Sequence, residues 1–234
     1  NRTRAYAAEQ NPMYKLENDN DESKRDNISS RAYAEVKFLK DFKFTANIAY
    51  DVFNTVYTSY VNPLQGDGKT YQGIGDKSAQ RYSALNANQL LNYTKTFGLN
   101  KITALAGHET KSDNSWYLAG TKMRYYDPYN PEFANAGAMS ALTSYTSGYR
   151  LEGYLSRLEY DYADKYYVSG SLRYDGSSKF HPDVRWGTFW SVGAAWRVNE
   201  ENFLKSVDQI SNLRLKASYG TQGNDGISGS NLYI

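Results

Sequence analysis

The chain has 234 residues, with 27 Lys and Arg against 25 Asp and Glu. That near-even balance argues against a basic nucleic-acid-binding surface. The absence of cysteine excludes disulfides and thiolate metal sites, and no apolar run approaches the roughly 18 residues of a transmembrane helix.

Tyrosine is abundant, at 23 copies against 9 Phe and 4 Trp. It suits strands with one wet end, and also sugar-binding surfaces. A negative mean hydropathy does not exclude a membrane barrel, where alternate residues face water and the loops are polar. The sequence opens on Asn1 without Met and closes on SNLYI just after a Gly-rich stretch begins, so an internal piece of a longer protein is expected.

Residues 1–30 are polar and read as a solvated loop. Asp19, Asp21 and Glu22 could suggest a calcium loop, but the glycine and later Glu of an EF-hand are missing. Residues 31–39 read as a strand and Lys40-Asp41 as a tight turn. In residues 42–52, Phe42, Phe44, Ala46, Ile48, Tyr50 and Val52 share one face, against Lys43, Thr45, Asn47 and Asp51. Such a run is long enough to cross a bilayer at a tilt. Residues 53–77 read as a long polar loop broken by glycines.

Residues 80–95 and 101–110 read as strands joined by a turn at 97–100. Residues 111–147, with Trp116, Tyr125, Tyr126 and Tyr129, read as the longest irregular stretch. Its length would be unusual inside a compact domain but ordinary outside an outer-membrane barrel.

Residues 149–162 form a strand with Leu158, Tyr160 and Tyr162 opposite Arg157, Glu159 and Asp161. Ala163-Asp164 turn it into the strand 165–175, and a loop at 176–185 leads to the strand 186–198. Across this pair, Tyr166, Val168, Leu172, Tyr174, Trp186, Trp190, Val192 and Trp196 hold one face. The opposite face carries Ser169, Ser171, Arg173, Ser191, Gly193 and Arg197. Trp and Tyr sit at the ends of the apolar stripes, as in an aromatic belt. A helical turn is expected within 199–211, with Phe203, Leu204 and Val207 as its apolar side, then a last strand at 212–219.

About eight strands thus alternate short links with long ones. In an antiparallel sheet this places all short links at one end, which is the outer-membrane barrel arrangement and uncommon in a soluble sandwich. Lipid contact is expected for Phe42, Phe44, Ile48, Trp186, Trp190 and Trp196, and lumenal water for Arg157, Glu159, Arg173 and Arg197.

Three segments, YADKYYVSGSLRYDGSSKF (162–180), RWGTFWSVGAAWRVNEENFLK (185–205) and ISNLRLKASYGTQGN (210–224), together resemble the SusC/RagA group of TonB-dependent outer-membrane transporters of Bacteroidetes. NQLLNYTKTFG and ITALAGHE (88–109) are similar to weaker signatures of the same group. Trp190 departs from the pattern, since many relatives carry Pro there. The resemblance implies an all-β fold, an antiparallel segment of a transmembrane barrel of about 22 strands with a plugged lumen. Residues 1–234 would belong to the barrel domain, with the plug lying N-terminal to it. It also implies a SusD-like surface lipoprotein as lid, energy from TonB–ExbB–ExbD, and oligosaccharides or peptides as substrates. A passive porin, or a soluble carbohydrate-binding sandwich, remains an alternative.

Catalysis finds no support in the residue pattern. His108 and His181 have no nucleophile or ligand constellation around them, and Glu159 with Asp161 reads as a lumenal charge ladder beside Arg157. Neither a cofactor nor a metal is expected, and the spaced glycines at 66–68 and 73–75 precede no strand-to-helix turn. In Arg173–Lys179, Asp175-Gly176 signals a turn that Ser177 and Ser178 can fix. Trp116, Tyr125, Tyr126 and Tyr129 are the candidates for stacking on sugar rings or meeting the lid, with self-packing of the loop as the plain alternative.

Overall fold

The alternating runs become strands of one sheet in the computed structural model, which describes residues 12–204 and 210–226. Eight antiparallel strands neighbour one another in chain order. They are β1 (Asn20–Phe38), β2 (Phe42–Val61), β3 (Ile74–Phe97), β4 (Asn100–Tyr125), β5 (Ala136–Tyr162), β6 (Tyr166–Ser177), β7 (Trp186–Arg197) and β8 (Arg214–Gly220). Two short helices, α1 (Pro12–Asn18) and α2 (Asp67–Tyr71), lie outside the sheet.

The tight turns fall where expected. Leu39 and Lys40 take left-handed φ values of 49° and 59°, and Ala163 and Asp164 take 54° and 56°. Consecutive left-handed residues match the right-handed twist of the flanking strands. Asp161 steadies the second turn, its carboxylate accepting from the Asp164 amide at 2.9 Å.

Three expected loops are instead partly strand, the third of them mostly so. β1 begins at Asn20, β2 continues to Val61, and β4 and β5 run for 26 and 27 residues through most of 111–147. The cause lies in composition. Around 110–115 one face carries Thr110, Ser112 and Asn114 and the other Lys111, Asp113 and Ser115. With both faces polar there is no contrast to mark period two, yet the backbone still pairs. The calcium-loop reading falls with the first loop. Asp21 and Glu22 are strand residues, and the Asp19 carboxylate accepts from the Asn62 amide at 2.9 Å. The helical turn expected over 199–211 lies partly outside the described residues; a single 3-10 turn occupies Val198–Glu200.

Contacts divide the chain into two units. The first contains Asp51–Ser83 and Asn114–Ser147 together with the stretch up to Ser29. Its small core joins Tyr60, Tyr125 and Ala136, with the two phenol rings edge-on at 4.9 Å. Burial pushes both phenols up to about 12. Asn62, 1% exposed, ties the connections together. It accepts from the Tyr14 hydroxyl at 2.6 Å and donates to the Pro128 carbonyl at 2.7 Å.

The second unit contains Ser30–Tyr50, Ala84–Asp113 and the chain from Gly148 onward. Its register pairs Leu158 with Gly170, Leu172 with Trp190, and Ala194 with Ala217. Every even-numbered residue of β6 therefore shares a face with even-numbered β5 and β7 residues and odd-numbered β8 residues. Among the described residues no second sheet covers either face, so they form no sandwich.

Candidate functional site

Across β5–β8 the two faces of the sheet differ chemically. One carries Leu158, Val168, Leu172, Trp190, Val192 and Leu215, all left exposed. Near one end of this face Tyr154, Tyr174 and Trp186 gather, with Tyr174 stacked on the Trp186 indole at 4.8 Å. Near the other end, Tyr162, Tyr166 and Trp196 stack in series at 6.4 Å spacings. The polar tips of Tyr166 and Trp196 reach the chain beyond the end of β7. The Tyr166 hydroxyl and the Trp196 indole N–H both donate to Glu201 Oε1, at 2.6 and 3.2 Å. These bonds hold the Glu201 carboxyl below its usual range, with the Tyr166 bond leading. Amphipathic rings with apolar bodies inward and polar tips outward are the chemistry of a membrane–water interface.

The other face is hydrophilic. Arg157 pairs with Glu159 at 2.5 Å, and the Ser171 and Ser191 hydroxyls meet at 2.7 Å. Arg173 bridges Glu109 at 3.0 Å and Asp175 at 3.1 Å, linking β4 to β6. Arg197 reaches Glu200 at 3.2 Å and the Asp164 carbonyl at 3.3 Å. These four arrangements include every residue expected to face the lumen. Between its ladders lies a hollow of about 460 Å³ flanked by Lys101, Arg157, Arg214 and Lys216.

A second hollow, of about 520 Å³, opens at the far end of the same face. After β8 the chain folds back as a strap, residues 221–226. Thr221 is fixed to Trp190 by two bonds, its amide donating to the carbonyl at 2.8 Å and its hydroxyl accepting from the amide at 3.0 Å. The Asp225 carboxylate accepts from the Tyr149 hydroxyl at 2.6 Å and the Ser177 hydroxyl at 3.1 Å, while Lys179 donates to the Asp225 carbonyl at 2.9 Å. Those bonds hold the Asp225 carboxyl low, that from Tyr149 first. Burial, then the Asp225 bond, pushes the Tyr149 phenol up to about 12. No local pattern marks this pin, because its partners are separated by a whole hairpin.

The expected contact aromatics separate. Tyr126 and Tyr129 stand out at 80% and 74% exposure on the connection after β4. Trp116 lies on strand β4 rather than in a loop, and Tyr125 is buried against Tyr60. Among the expected lipid contacts, Phe42 stacks on Phe38 and packs against Tyr93, and Phe44 and Ile48 are exposed. His108 is bracketed by Gln89 at 2.8 Å and Glu152 at 3.2 Å with Tyr154 against its ring. Among the described residues no cluster of three or more metal-ligating side chains occurs.

Residues 2–232 match the model of the TonB dependent receptor-like, beta-barrel family. The chain belongs to that family. It is 30% identical over 228 residues to the TonB-dependent receptor SusC of Bacteroides thetaiotaomicron, and 27% identical over 227 residues to the TonB-dependent receptor P39 of Formosa agariphila. These alignments cover 96% and 94% of the chain but 22% of each relative, so the chain spans under a quarter of their length. Its fold superposes on the structure of the RagAB peptide transporter with a TM-score of 0.87 at 22% identity, over 96% of this chain and 26% of that one. The open-open RagAB peptide importer gives 0.85. Within this receptor barrel family, the two-faced sheet of β5–β8 is a piece of barrel wall.

Proposed function

We propose that the chain forms wall of an active outer-membrane transporter. It would import oligosaccharides or peptides beneath a SusD-like surface lipoprotein, driven by TonB–ExbB–ExbD acting through a part of the protein outside this segment. One observation carries the reading: an apolar band rimmed by aromatic rings backs directly onto a charged and hydroxylated face. The rise from Trp186 to Trp196 is about 34 Å along the strand, which a tilt of about 45° reduces to about 24 Å, close to the ~25 Å lipid-facing band of outer-membrane barrels.

Phe42, Phe44, Ile48, Trp186, Trp190 and Trp196 then meet outer-membrane lipid, while Arg157, Glu159, Arg173 and Arg197 meet lumenal water. Tyr126 and Tyr129 are the aromatics free to touch substrate or lid. The wall does no bond chemistry and uses no cofactor or metal. The likeness to the RagAB peptide transporter supports the peptide class, and the oligosaccharide class rests on the resemblance of the sequence to the SusC/RagA group.

Cells carrying the complete protein, offered fluorescently labelled maltooligosaccharides and labelled casein peptides, test the energy coupling. Uptake that stops when tonB is deleted is the expected result. Uptake that persists without TonB would favour a passive pore.

A further inference from the structure

We infer that the hollow beneath the 221–226 strap is a binding subsite for a carboxylate-bearing ligand, with the Arg185 guanidinium as its anchor. This rests on the proposed reading that the face is wet and lumenal. The hollow is walled by apolar groups, Leu151, Phe180, Val184 and Phe189, and roofed by the polar strap.

Its charges are unequally committed. Arg173 is occupied by Asp175 and Glu109. Asp225 is occupied by Tyr149 and Ser177. The Arg185 carbonyl accepts from the Ser177 amide at 3.1 Å, but its guanidinium meets no carboxylate among the described residues, and its Nε is buried and unsatisfied. A buried N–H without an acceptor is costly, and native proteins rarely leave one so. A planar guanidinium recognises a carboxylate with two parallel bonds. Asp175 is paired with Arg173, and the Asp225 carboxylate is held by Tyr149 and Ser177 with the Lys179 charge beside it, so Arg185 is the guanidinium at the hollow left without a carboxylate. The apolar wall accommodates the ligand's body.

The strap fits this role. Its backbone lies on the Phe189 ring so closely that a Cβ on Gly223 would collide with it. Glycine there keeps the roof low over the hollow.

Two ligand sources share the chemistry: an acidic peptide side chain and a uronic acid. The complete transporter in detergent is titrated with two probe pairs by ligand-observed NMR. One pair is glucuronate and glucose; the other is acetyl-Gly-Glu-amide and acetyl-Gly-Gln-amide. The acid of one pair is expected to bind about tenfold more tightly than its neutral partner, as a charge-assisted bond allows. Which pair shows the preference names the source. Arg185→Met should abolish the preference, Arg185→Lys should restore part of it, and Gly223→Val should weaken the acid by lifting the roof. Equal binding of acid and neutral probes, or a preference that survives Arg185→Met, would overturn the subsite. The transport reading fails separately: nitroxides on odd-numbered β7 residues would then lie in lipid, whereas water contact there without carboxylate preference sinks the subsite alone.

Discussion

Asp225 shows how much of this wall depends on single polar side chains. One carboxylate oxygen accepts from Tyr149 on β5 and Ser177 on β6, so the strap after β8 is tied to two further strands. The folded carboxyl is held low, so its contribution is present above the ordinary carboxylate pKa of about 4 and is lost as pH falls through the lower folded value. The Tyr149 phenol is raised to about 12, so its contribution is present below about 10 and is lost as pH rises toward 12. In the complete protein, Asp225→Asn should lower hydrogen-exchange protection of 221–226 about fivefold at neutral pH, equivalent to ~1 kcal/mol for a part-exposed charged hydrogen bond. Corrected for intrinsic rates, the wild-type protection should decline below pH ~4 and the variant's should stay flat. An acid step of equal size in both proteins would remove Asp225 as its source.

At the scale of the element, a strand of this kind has two environments one residue apart. Leu172 faces Trp190 on the apolar side, and Ser171 faces Ser191 on the polar side. Leu172→Arg should therefore cost ~2–4 kcal/mol of folding stability in the bilayer, and Ser171→Arg less than ~1 kcal/mol. The amount of heat-modifiable folded transporter in the outer membrane measures both; equal loss from the two substitutions would contradict the assignment of faces.

The same contrast explains what the sequence made legible. Strands expected at 165–175 and 186–198 are found at Tyr166–Ser177 and Trp186–Arg197, because apolar and polar residues alternate through them. Around 110–115 in β4 both faces are polar and the alternation disappears, so the pattern reads as loop from there on and Trp116 reads as a loop aromatic. Tyr125 was unreadable for a different reason. Its burial depends on Tyr60, a residue on another strand far away in sequence. Asn62 and Asp225 are likewise invisible in the sequence, since each acts through partners that only the fold brings together.

Among the described residues, β5–β8 form a single layer whose apolar side is left bare. Among the described residues β1 pairs within the chain only with β2, and β8 only with β7. A one-layer sheet with exposed Leu, Val and Trp is ill suited to water, where open edges and large apolar patches drive aggregation. Bilayer on that side and further wall strands at both edges would relieve both problems. The chain itself has no cysteine, which favours site-directed labelling. Nitroxides placed one at a time along 186–197 of the complete transporter in lipid bilayers test the central claim most directly. Accessibility to oxygen should peak at the even positions from 188 to 196 and accessibility to a water-soluble nickel chelate at the odd ones, with a period of two. A reversed phase, or nickel access at Trp190 and Val192 equal to that at Ser191 and Gly193, would contradict a wall with lipid on one side and water on the other.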